Sequence, residues 1–64
     1  MKIQYDPEVD VVQIVLSSEP VNESGEEEAG MIFDYDKKGN IVGIEILNAS
    51  KRIENPRSFE YTVN

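Results

Sequence analysis

Asp34, Asp36, Gly39 and Glu45 are the residues whose types and spacing come nearest to chemistry. They fall at positions one, three, six and twelve of a calcium-binding EF-hand loop, and Ile41 supplies the apolar eighth residue. Position five should bring another side-chain oxygen. Lys38 stands there instead and places a positive charge where clustered negative oxygens are needed. An EF-hand also needs a helix on either side. The flanking runs Met31 to Tyr35 and Ile41 to Leu47 are short and rich in β-formers, so a hairpin is expected there. Asp34 and Asp36 are then expected to shape the turn or face solvent, with Glu45 on a strand. The alternative is a weak metal or small-ligand site built from the Asp34, Asp36 and Glu45 acids.

The same three carboxylates could do acid–base work only if a cleft held them at fixed separation. A sheet this small offers no deep cleft. The chain has no Cys and no His to act as nucleophile or base. Ser17, Ser18, Ser24, Ser50 and Ser58 fall in loop or cap contexts, and no glycine-rich phosphate cradle is present. The expectation is a protein that is not an enzyme, with no cofactor and no resident metal.

The elements that position these residues are legible from periodicity. Lys2 to Tyr5 alternates and is followed by Asp6-Pro7, a turn signal. Val11 to Leu16 is nearly all apolar and β-branched, so it reads as a strand half-buried on both faces. Residues 17–29 are rich in Ser, Glu and Asn and read as a mobile acidic loop. Its rival is one turn of helix capped by Ser24. Met31 to Tyr35 and Ile41 to Leu47 make the hairpin, and Gly43 in mid-strand marks a bulge or a close neighbour. Asn48 or Ser50 can cap a short helix from Ala49 to Ile53, which Asn55-Pro56 ends. Residues 54–64 form a C-terminal arm or a fifth strand, with Phe59, Tyr61 and Val63 on one side. The fold class expected is mainly β (α+β): a hairpin-based antiparallel sheet of four to five strands with one short C-terminal helix.

Sixty-four residues make a single small domain. A core of that size supplies only about 3–5 kcal/mol. With no Cys or His, disulfide and zinc staples are not expected, which leaves association. A homodimer or higher homo-oligomer is therefore expected, on an apolar sheet face too large for one short helix to cover. The net charge of −7 with scattered bases argues against nucleic acid. No run of apolar residues is long enough to span a membrane, no signal peptide is apparent, and cytoplasmic residence is the expectation.

The acidity is local. Glu19, Glu23, Glu26, Glu27 and Glu28 fall within ten residues that hold no base. Their simplest use is solubility. Their sharper use is to steer the chain onto a basic partner protein. Glu26, Glu27 and Glu28, with Phe59 and Tyr61 on the arm, are the candidate partner-binding residues.

The opening MKIQYDPEVD, Ile14 and Leu16, the acidic linker, Gly30, Ile32, Asp34-Tyr35-Asp36, Gly39, Val42 to Leu47 and Ala49-Ser50-Lys51 together resemble the small, mainly bacterial domain-of-unknown-function family 2283. The resemblance runs from Met1 to about Ile53 and leaves out the tail. Members often carry a larger residue where Gln13 stands. The resemblance implies no catalytic residues. It implies an antitoxin-like setting, in which a small toxin-like protein is neutralised by binding.

Overall fold

The computed structural model describes all 64 residues. Five strands form one antiparallel sheet: β1 (Lys2–Asp6), β2 (Val11–Val15), β3 (Glu23–Glu28), β4 (Met31–Tyr35) and β5 (Ile41–Leu47). A single helical turn, α1 (Ala49–Arg52), follows β5. Their order in the sheet is β1-β2-β5-β4-β3, so β1 and β3 are the edges. Three hairpins account for the neighbours β1–β2, β3–β4 and β4–β5. The connection 16–22 carries the chain from β2 across the width of β5 and β4 to the far edge.

The expected class holds: a mainly β sheet with a small helical part. Two details differ. The stretch 17–29, expected as an acidic loop, is irregular over residues 17–22 and turns at Ala29, because Glu23–Glu28 is the edge strand β3 and no helical turn forms at Ser24. Three consecutive glutamates disfavour a strand by intrinsic propensity. Pairing with β4 along Glu23↔Tyr35, Ser24↔Asp34, Gly25↔Phe33 and Glu26↔Ile32 overrides that preference. The fifth strand is therefore β3, and residues 53–64 contain no strand.

Turn chemistry explains the hairpin ends. Gly30 (φ 80°) and Gly39 (φ 85°) take left-handed angles in the β3–β4 and β4–β5 reversals. Asp36 ties the second reversal. Its Oδ1 accepts the Lys38 and Asn40 backbone N–H groups, both at 2.9 Å, and its Oδ2 accepts from Asn40 Nδ2 at 3.1 Å. The anticipated irregularity at Gly43 is present. The β4–β5 register shifts between Asp34 and Tyr35, which face Gly43 and Ile41.

The registers divide the sheet into two unlike faces. Two cross-strand rows on one face are Ile3–Ile14–Ile44–Phe33 and Tyr5–Val12–Ile46–Met31. The middle row of the other face is Gln4–Gln13–Glu45–Ile32–Glu26, flanked by Lys2–Val15–Gly43–Asp34–Ser24. The core is thin. Val12, Val42 and Ala49 are the buried apolar residues, and no large side chain is fully enclosed. The short helix packs through Ala49, which has no exposed surface.

Candidate functional site

The carboxylates of the calcium-like spacing do not converge. Asp36 sits in the β4–β5 turn, with its oxygens taken by Lys38 and Asn40. The Asn40 backbone N–H leads the hydrogen bonds that hold its carboxyl below the usual carboxylate range. Asp34 lies on the polar face, where its Oδ1 accepts the Ser24 hydroxyl at 2.5 Å. Glu45 lies on the same face, opposite Gln13 and Ile32. Asp34 and Glu45 are thus diagonal neighbours, while Asp36 stands apart from them. The structure contains no group of three or more carboxylates arranged to hold a metal ion.

A depression of about 460 Å³ lies between residues 19–22 and the β4–β5 turn, lined by Glu19, Val21, Asp36, Lys37, Lys38 and Asn40 among others. Its lining mixes both charge signs and has one apolar side chain. Nothing in it pairs a nucleophile with a base.

The candidate partner-binding acids all lie on β3. Glu26 Oε2 accepts the Gly30 backbone N–H at 2.8 Å and so braces the reversal. Glu27 Oε1 accepts the Tyr35 hydroxyl at 3.0 Å. Partial burial, then the bond to Glu27, raises the Tyr35 pKa. Glu28 makes no side-chain hydrogen bond and is exposed at the register shift opposite Met31. These acids stand on an ordered edge strand whose outer backbone groups have no partner strand.

Phe59 and Tyr61 stack with ring centroids 6.4 Å apart, and both are mostly exposed. They are far in the sequence from β3, and the tail that bears them lies against the opposite edge. Arg57 sits over the Tyr5 ring at 5.7 Å, and Phe59 shares a hollow with Ile3, Tyr5 and Pro7. The acids and the aromatic pair are therefore two separate surfaces.

One cluster had no signal in spacing. Asp10, in a left-handed conformation (φ 58°), accepts the Tyr5 hydroxyl at 2.8 Å, the Ser50 N–H at 2.9 Å and the Ser50 hydroxyl at 2.7 Å. Its backbone oxygen accepts the Ala49 N–H at 2.9 Å. Asp10 thereby caps α1 from another hairpin. Asn48 occupies the N-cap position at φ 54° but makes no side-chain cap bond, and Ser50 acts as donor to Asp10, so neither anticipated cap operates. The Ser50 hydroxyl first, then Tyr5, holds the Asp10 carboxyl below its ordinary range. The same bond to Asp10 raises the Tyr5 pKa. Both ends of this tie lie in the segments that carry the family resemblance.

A family described as a protein of unknown function, DUF2283, matches residues 2–50. The chain belongs to this family. The DUF2283 match takes in all five strands and ends on Ser50, the residue tied to Asp10. It stops short of the tail with Phe59 and Tyr61. No curated protein and no solved structure matches the chain. No helix is long and apolar enough to cross a membrane.

Proposed function

We propose that this protein is a non-catalytic binding module that neutralises a basic partner protein in an antitoxin-like manner, with β3 as the steering surface. The observation that carries this reading is the position of Glu23, Glu26, Glu27 and Glu28 on an edge strand rather than a loop. An ordered strand presents its carboxylates at fixed spacing. Carboxylates so held speed encounter with a basic surface and lose that effect as salt rises. The free outer edge adds backbone donors and acceptors that an extended segment of the partner can pair with. The antitoxin-like setting implied by the family resemblance agrees with this chemistry.

The test is affinity capture from the source cell at low salt, comparing the native chain with the E26Q/E27Q/E28Q variant. Glutamine keeps an acceptor oxygen for Gly30 and Tyr35 while removing charge. The native chain captures a basic protein that salt releases, and the variant captures it weakly or not at all. Equal capture by both, with the same salt dependence, removes β3 from the function.

A further inference from the structure

We propose that the apolar face of the sheet is closed by the same face of a second copy of this chain, around a two-fold axis. The proposal is independent of the basic-partner reading, which uses a different edge of the sheet.

The single chain is not closed. A compact monomer of this mass exposes roughly 4100 Å². This one exposes 5057 Å². The excess, roughly 900 Å² by that scaling, is shared between the open sheet face and the exposed tail residues 57–64, and is of the order of the roughly 800 Å² that each partner contributes to a standard interface. Its shape agrees. The extents are 33 × 32 × 18 Å, a slab, and the radius of gyration is 12.4 Å. A compact chain of this length would have a radius of gyration of roughly 11 Å.

The uncovered surface can be located. α1 begins beside Asp10, and its Arg52 donates to the Ala29 oxygen, so the helical turn covers the Tyr5–Met31 end of the apolar face. The tail crosses the β1 margin over Tyr5. In the row Ile3–Ile14–Ile44–Phe33 the tail reaches only the β1 end, where Phe59 shares a hollow with Ile3, and Ile3 remains 37% and nearby Leu16 41% exposed. None of these residues is fully enclosed.

Charge selects the occupant. Each chain carries −7, so two copies must meet where neither presents acids. The polar face holds Glu45 on the central strand, with Asp34 and Glu26 toward the β3 edge, and self-contact there would oppose like charges. Across β1, β2, β5 and β4 the two apolar rows contain no charged residue, and the acids that border them, Glu28 opposite Met31 and Glu27 beside Gly25, stand at the β3 margin. A basic partner gains nothing from that face, whereas an identical apolar face fits it. The isologous arrangement pairs it with itself and closes at two.

Two measurements on the full chain test this. Sedimentation equilibrium from low micromolar concentration upward should give twice the 7.2 kDa chain mass. The chain has no native Cys, so single-cysteine variants report which face is covered. Ile14→Cys and Gln13→Cys are adjacent on β2 and point to opposite faces. With a short bis-maleimide at micromolar protein, Ile14→Cys should form covalent dimer roughly a hundredfold faster than Gln13→Cys, reflecting millimolar effective concentration. A monomeric mass throughout, including a chain that gains mass only when a basic partner is added, overturns the proposal. Equal or faster cross-linking of Gln13→Cys also overturns it. The E26Q/E27Q/E28Q variant should remain a dimer. Loss of capture with the dimer intact separates failure of one reading from failure of the other.

Discussion

Ser50 donates both its backbone N–H and its hydroxyl to the carboxylate of Asp10, a residue forty positions earlier, at 2.9 and 2.7 Å. This pair fixes the single turn of α1 to the β1–β2 hairpin. A four-residue helix cannot persist by its own hydrogen bonds, because the nucleation cost exceeds what one turn returns. Its order comes from the Asp10 cap and from the enclosure of Ala49. D10A should therefore lower the urea midpoint more than S50A, since it strips bonds from Ser50 and Tyr5 together. D10N should fall between D10A and the native chain. Asn tolerates the left-handed angle and keeps one acceptor oxygen. Equal midpoints for D10A and D10N would contradict the cap.

The pH dependence follows from the directions of four shifts. Asp10 and Asp36 are held below the carboxylate range in the folded chain by their hydrogen bonds. On acidification the unfolded chain takes up those protons first. Their stabilisation is complete above the ordinary carboxylate pKa of about 4, and falls as pH drops through the lower folded values. Tyr5 and Tyr35 are raised. Their contribution is complete below the usual tyrosine pKa of about 10, and is lost as pH rises through the higher folded values. Melting temperature against pH should thus decline at both ends. D10N should flatten the acid limb, and Y5F the alkaline one.

Gly43 is a matter of space rather than backbone angle. A Cβ there would lie 2.8 Å from Asp34 Oδ2 and 3.5 Å from both Asp34 Cβ and the Ile14 carbonyl oxygen. G43A must shift the Asp34 carboxylate, whose other oxygen holds the Ser24 hydroxyl. The expected cost is about 0.5–1 kcal/mol, below the usual range for overpacking a core because the displaced group is the end of a partly exposed side chain. In a D34A background the displaced group is gone, so G43A should cost much less. Additive losses across the double-mutant cycle, read by urea unfolding, would contradict this account.

Calcium should leave the protein unchanged. The Asp36 oxygens serve the turn, Lys38 occupies the fifth loop position, and Asp34 serves Ser24. Melting temperature in millimolar calcium should match that in chelator. Saturable heat below millimolar calcium would reverse the conclusion.

The sequence by itself determined the elements whose local signals agree. VVQIVL and IVGIEIL read as strands through β-branching, Gly30 and Gly39 mark reversals, and Lys38 departs from the calcium-loop pattern. What only the tertiary structure decided rests on partners distant in the chain. β3 has the composition of a loop and becomes a strand because β4 offers it a ladder of backbone groups. SFEYTV has the alternation of a strand, yet no neighbour supplies that ladder, so it stays an arm. The Asp10–Ser50 tie lies outside any local window, since the two residues meet only after β2 pairs with β5. Local propensity sets what a segment can form. Backbone groups on a neighbouring strand decide what it does form, because their pairing outweighs an unfavourable side-chain preference.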